Sequence, residues 1–159
     1  MDYYDSISNS YNELHKEEQL NKIRLIKDNL KIKKQELLLD VGCGTGIFAD
    51  EFNCIKIGID PSIDMLKQGK NAFYIQACAE HLPFKDSSFD FVISVTAVHN
   101  FKGIRKGLEE IKRVSKQNIV LSILKRSSKI AEIKEHITKL FEITKIIEED
   151  KDIIFFAKR

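Results

Sequence analysis

The chain has little of what would mark a secreted, membrane-spanning or metal-bound protein. Its cysteines are few and odd in number, Cys43, Cys54 and Cys78, with no CxxC spacing. This argues against a disulfide framework and a zinc site and fits a reducing cytoplasm. No apolar run approaches 18 residues, so no membrane span is expected, and residues 1–11 are polar and acidic with no apolar signal core. Only two prolines occur, Pro61 and Pro83, and neither lies in a low-complexity linker. There is no excess of one charge: 26 basic side chains face 24 acidic ones, for a net charge of +2. No field-driven attraction to nucleic acid or membrane follows from that total. Five arginines (Arg24, Arg105, Arg113, Arg126, Arg159) leave lysine as most of the cations, and lysine lacks the bidentate fork that reads phosphate best.

What is present is one domain's worth of apolar residues, 43% of 159, enough to bury roughly two-thirds of the unfolded surface. The patterning alternates between strand and helix. Residues 1–30 carry a helical stripe through Tyr4, Ile7, Tyr11, Leu14, Leu20, Ile23, Ile26 and Leu30. Residues 36–41 read as a strand: Leu37, Leu38 and Leu39 are apolar on consecutive positions, as a strand covered on both faces requires. Further strands are expected at 55–59, 73–77, 89–95 and 118–124. Short helices are expected near 47–52 and 61–69, and longer ones from Ile104 to Val114 and from Ile130 to Leu140. The final strands, 142–148 and 152–158, are joined by the tight turn Glu149-Asp150-Lys151, which permits an antiparallel hairpin and not a parallel crossover. The expected architecture is α/β: a Rossmann-like three-layer sandwich around a seven-stranded, mostly parallel sheet. Residues 1–159 form one domain in this reading, with 1–35 a helical lid and 36–159 the core.

Three of the seven glycines fall within five residues, in L-L-L-D-V-G-C-G-T-G from Leu37 to Gly46. A hydrophobic strand ending in Asp40 and then in Gly42, Gly44 and Gly46 lets backbone approach a ligand where a Cβ would collide. Asp60, at the end of the second strand, is placed to accept both hydroxyls of a ribose. The spacing is G-x-G-x-G. The dinucleotide fingerprint would need Gly or Ala at position 47, which is Ile47, and no G-K-[ST] follows, so a P-loop is excluded. An acid ahead of the loop suits a ligand that carries an ammonium group.

These residues resemble motif I of the class I S-adenosylmethionine-dependent methyltransferases. I-G-I-D-P-S (57–62) resembles the family's ribose-binding strand. A-C-A-E-H-L-P-F-K-D-S-S-F-D-F-V-I-S (77–94) is similar to the A-E-x-L-P-F…S-F-D-x-V stretch of its type 11, ubiquinone-biosynthesis-like branch, and L-E-E-I-K-R-V (108–114) to its L-x-E-x-x-R-V helix. The resemblance implies S-adenosylmethionine as cofactor and S-adenosylhomocysteine as product. It implies that Asp40 orients the cofactor's amino group and that Gly42, Cys43, Gly44, Thr45 and Gly46 form the turn around its methionine part. It also implies that Asp60 binds the ribose, that Ser62 and Met65 flank the adenosine, and that Cys78, Ala79, Glu80 and Val95 line the cofactor. Tyr11 is expected to close over it. Cys78 departs from the family, since many members carry Asp there, and cysteine is a poor acceptor for an adenine amino group.

The cofactor carries the hard chemistry. His99, in T-A-V-H-N-F after the fourth strand, is the candidate general base for a protonated nucleophile. The alternative is that His99 and Asn100 only shape the pocket wall. His81 near Cys78 lacks further ligands, so no metal site is expected. The cations Lys102, Arg105, Lys106, Lys112, Arg113 and Lys116, with Lys125, Arg126 and Lys129, read as a solvated helix face or as a contact for an anionic substrate. The expected acceptor is a small molecule. A tRNA or protein acceptor, modified together with a small partner subunit, is the second reading, and a non-catalytic cofactor-binding scaffold is the third. Little chain remains outside the sheet, which suggests that the acceptor side is open or completed by another chain, as in a homodimer.

Overall fold

The computed structural model describes residues 3–159, with side chains from Leu14 onward except that of Ala49. The side chain of Tyr11 therefore lies outside the described residues. By contacts the chain divides into two compact units, one ending at Lys31 and the other running from Ile32 to Arg159. The first is a single helix, α1 (Tyr3–Asp28), closed by Asn29 N–H donating to the Ile26 carbonyl at 3.1 Å.

The second unit is built on seven strands: β1 (Leu37–Val41), β2 (Ile55–Asp60), β3 (Phe73–Gln76), β4 (Phe89–Val95), β5 (Ser115–Leu124), β6 (Glu142–Glu148) and β7 (Asp152–Lys158). They form one sheet in the order β3-β2-β1-β4-β5-β7-β6. Only β7 runs against the rest: it pairs antiparallel with both β5 and β6, and every other pairing is parallel. From β1 the chain steps outward through β2 to β3, then returns and steps the other way from β4 to β5. Right-handed crossovers put those two sets of connections on opposite faces. The reversal leaves a crevice outside the carboxyl ends of β1 and β4, where open α/β sheets bind ligands.

One face carries the main core. Helices α3 (Ile104–Val114) and α4 (Ile130–Leu140) pack there, and Ile104, Leu108, Ile111 and Val114 of α3 are all buried, as their spacing dictates. They meet Leu39, Val92, Leu121 and Phe155 of the sheet. Along the opposite face, paired positions put Asp40, Gly58 and Tyr74 in a row across β1, β2 and β3.

The boundaries differ from expectation in three places. The helix expected at 47–52 is a 3-10 turn, Ala49–Glu51. Phe48 and Phe52 are both buried around it, and β2 starts at Ile55, so there is no length for an α-helix. The helix expected at 61–69 shortens to α2 (Ile63–Leu66), and Gly69 N–H closes a turn on the Leu66 carbonyl at 3.0 Å. Strand β5 begins at Ser115 because Ser115 pairs directly with Phe89, ahead of an irregularity between Phe89 and Phe91.

Arg113 fixes the loop between β3 and β4. Its guanidinium donates to Glu110 at 2.7 and 2.8 Å, to Asp86 at 2.9 Å and to the carbonyls of Phe84 and Leu82 at 2.7 and 3.1 Å. Glu110 accepts the Leu82 N–H at 2.9 Å. A lysine cannot reproduce this planar fork. Arg113→Lys is expected to cost about 1–3 kcal/mol in urea denaturation, and an unchanged midpoint would contradict the clamp.

Candidate functional site

The glycine turn after β1 is anchored to β2 rather than to a following helix. Gly42 and Cys43 N–H both donate to the Ile59 carbonyl, at 2.8 and 2.9 Å, and Gly46 N–H donates to the Cys43 carbonyl at 2.9 Å. Gly42, Gly44 and Gly46 all have positive φ, at 76°, 55° and 80°, which other residues adopt at a cost. The space beside them is not equally open. A Cβ on Gly42 would lie 2.6 Å from that of Ala97, and one on Gly46 would overlap the Tyr74 ring. A Cβ on Gly44 would meet only the Met65 terminal methyl, at 3.3 Å. Gly42 and Gly46 thus let the chain pack on itself, and Gly44 is the position where backbone is accessible.

Asp60 ties this turn to the second strand. One carboxylate oxygen accepts Gly44 N–H and the other accepts Ser62 N–H, each at 2.9 Å. A carboxylate offers about four acceptor sites, so both oxygens keep capacity for hydroxyl donors. Ser62 caps α2, its Oγ accepting Met65 N–H at 3.3 Å. Met65 is 40% exposed and faces Gly44, and Thr45 is half-buried beside it.

Asp40 has the opposite environment. It is buried, and neither carboxylate oxygen has a hydrogen-bond partner among the described residues. Burial, with the Asp60 charge adding to it, pushes its pKa up to about 7. An ionised carboxyl there is costly without a cation. Two acids, one of them unpaired, beside an accessible glycine backbone form a cradle for a ligand that presents an ammonium group and hydroxyls. Cys43 lies over Gly58, and burial and then the Asp40 charge raise its pKa. It therefore stays a thiol, which removes it as a nucleophile.

The loop after β3 holds three further residues expected to line the cofactor. Cys78 is exposed and Ala79 is buried. Glu80 Oε1 accepts Gly103 N–H at 2.9 Å, linking this loop to the start of α3.

Beyond the end of β4, where Val95 is buried, His99 sits in the 3-10 turn Val98–Asn100. Its Nδ1 is buried without a hydrogen bond. Burial lowers its pKa, with Lys129 in the same direction and the Asp152 charge opposing. The imidazole is thus neutral at neutral pH and able to accept a proton. Behind this turn lies a group that the sequence did not single out. Thr96, at φ 53°, donates to Asp152 Oδ2 at 2.7 Å, and Ser122 Oγ bonds the same oxygen. Asp152 is fully buried. It bonds Ser122 of the neighbouring strand and Thr96 at the end of β4. The only signal for it was an acid entering an apolar strand, hidden by the charged turn before it. No group of His, Cys, Asp and Glu suited to a metal ion occurs among the described residues, nor is any described helix long and apolar enough to cross a membrane.

Comparison with known proteins agrees with this geometry. Residues 39–123 match the family model for a methyltransferase domain of type 11. An uncharacterized protein of Methanocaldococcus jannaschii is 35% identical over 74% of this chain and 47% of its own length. The ubiquinone/menaquinone biosynthesis C-methyltransferase UbiE of Haemophilus ducreyi is 32% identical over 62% of this chain and 44% of its own. The chain spans about half the length of such curated relatives. In fold, a methyltransferase of Haloferax volcanii, solved in complex with the Trm112 activator, superposes with a TM-score of 0.77 at 14% identity, covering 99% of this chain and 98% of its own.

The raised Asp40 pKa has a consequence for stability. The folded value, about 7, lies above the ordinary 3.8, so stability is lost as pH rises from about 4 to 7, on the order of 4 kcal/mol in the ligand-free protein. Asp40→Asn is expected to remove most of that slope in urea denaturation between pH 4 and 8. Equal slopes in both proteins would mean that Asp40 is not the buried acid described.

Proposed function

We infer the reaction from the family: this chain belongs to the class I S-adenosylmethionine-dependent methyltransferases, in the type 11 branch. The family's cofactor is S-adenosylmethionine and its product S-adenosylhomocysteine. When bound, the cofactor supplies an electrophilic methyl group on a sulfonium centre. In this reading Asp40 holds the cofactor's ammonium group, Asp60 accepts its ribose hydroxyls, and the Gly44 backbone with Met65 lies along its length. His99 takes a proton from the acceptor where the nucleophile carries one. The alignment of acceptor with methyl group is the remaining task of the site. The observation that carries the reading is the buried, unpartnered Asp40 carboxylate beside the Asp60-anchored glycine turn. A cationic, hydroxyl-bearing ligand completes both acids, and the residues present fit the cofactor.

The acceptor in this reading is a small molecule, as the role of the H. ducreyi relative in ubiquinone/menaquinone biosynthesis supports. A macromolecular acceptor, modified with a partner subunit, is the second reading, favoured by one observation. Strand β3 is an edge of the sheet, and on and beside it Phe73 is 71% exposed and Ile55 45%. An apolar edge with unpaired backbone groups is a template for strand addition, and the H. volcanii neighbour was solved with a protein activator.

Two experiments test these readings. S-adenosylhomocysteine should bind by calorimetry, and Asp60→Ala should weaken it by about 1–3 kcal/mol. No heat at millimolar ligand would favour a scaffold without activity. Radiolabelled methyl transfer into a cell extract, fractionated by size, should label small molecules. Label confined to RNA or protein would replace the first acceptor reading with the second.

A further inference from the structure

Eight of the cations around α3 and α4 divide into two sets. Lys112 donates to the Leu140 carbonyl at 2.7 Å, Arg113 forms the clamp described above, Lys116 lies 2.8 Å from Asp90, and Lys125 lies 3.5 Å from Glu148. These four are used by the fold. The other set, Lys102, Arg105, Lys106 and Lys129, lines one groove of about 450 Å³ together with Glu109 and Glu132.

The two acids offset only two of the four cations. Glu109 is taken by Arg105 at 2.8 Å, and Glu132, 3.8 Å from His136, keeps its own negative charge while that imidazole is neutral. Lys106 approaches Glu110 only to 4.0 Å, while Glu110 is held by Arg113 at 2.7 Å. Lys102 makes no ion pair among the described residues, and Lys129 donates to a neutral acceptor, the His99 carbonyl, at 3.1 Å. Two ammonium groups without a close acid, those of Lys102 and Lys129, thus border one cavity. Both eleven-residue helices begin beside it, at Ile104 and Ile130, without a side-chain N-cap; Glu80 accepts Gly103 N–H at 2.9 Å and the Ser127 carbonyl accepts Ile130 N–H at 3.2 Å, so the lysines carry the positive charge of the groove. The groove also adjoins the site: Lys129 bonds the carbonyl of His99, and Gly103 bonds Glu80.

We propose that this groove binds an oxyanion, a phosphate or carboxylate carried by the methyl acceptor, and holds it by charge beside the His99 turn. The identification of the anion's carrier as the acceptor rests on the methyl-transfer reading; the anion site itself does not. Lysine ammonium groups act as compact point charges and suit either oxyanion. A cavity of this volume fits a small group and not an extended backbone.

The test is titration of the full chain with inorganic pyrophosphate and, separately, acetate, followed by amide shifts in NMR. Saturable shifts at Gly103–Lys106 and 130–132 are expected with at least one probe; pyrophosphate alone would assign a phosphate and acetate alone a carboxylate. Lys102→Ala combined with Lys129→Ala should raise the dissociation constant at least about tenfold. Lys85→Ala, on an exposed loop elsewhere, should change it less than twofold. Shifts that do not saturate, or equal affinity in the double variant, would overturn the site. A single-stranded RNA decamer that binds through Lys102 and Lys129 more than a hundredfold tighter than pyrophosphate would overturn the small acceptor. S-adenosylhomocysteine affinity on the same samples should be unchanged in the double variant. Its absence in the unaltered protein would overturn the methyl-transfer reading and leave the anion site standing.

Discussion

The pairing of the Asp60 carboxylate with two backbone N–H groups is the constraint on which the site depends. By accepting Gly44 and Ser62 N–H together, Asp60 fixes the glycine turn against the end of β2 and starts α2 at the same time. Asp40, paired in register with Gly58, is then enclosed with no partner of its own among the described residues. One acid is satisfied by the chain and the other is not. Buried carboxyls without partners are rare because they destabilise the folded state, and here the deficit lies where the topology opens a crevice.

The turn that carries His99 rests on a second buried acid. Asp152 begins β7, a strand whose antiparallel run beside β5 brings it next to Ser122 and, across the strand end, Thr96. Thr96 is held there at positive φ, a conformation that costs a non-glycine residue about 1–3 kcal/mol unless its surroundings impose it. The turn that presents His99 follows directly. The glycine turn and the His99 turn are thus each organised by a carboxylate at the carboxyl edge of the sheet.

Most of the fold was legible in the sequence, because it follows from local pattern. Three consecutive leucines marked a strand buried on both faces, and Ile104, Leu108, Ile111 and Val114 marked the core face of α3. The elements that shifted were short ones, where tertiary packing overrides periodicity: Phe48 and Phe52 turn inward around a single 3-10 turn. The grouping of Asp40, Asp60 and the glycine turn was legible too, since these acids and glycines lie close in sequence to strand ends. What was not legible was how those glycines divide their work. That Gly42 serves Ala97 and Gly46 serves Tyr74 depends on residues from other strands and loops. Asp152 stayed hidden for the same reason, its partners being 30 and 56 residues away. The sorting of the lysines and arginines around α3 and α4 into clamps and a groove likewise needed the acids that other elements bring.

The central claim is that Asp40 waits for a cation. Its carboxyl resonance, followed by ¹³C NMR through a pH titration, tests this most directly. In the ligand-free protein it should titrate near 7. With saturating S-adenosylhomocysteine the midpoint should fall by about two units or more, as an ammonium group beside it favours the ionised form. A midpoint that stays near 7 in the complex would contradict the account.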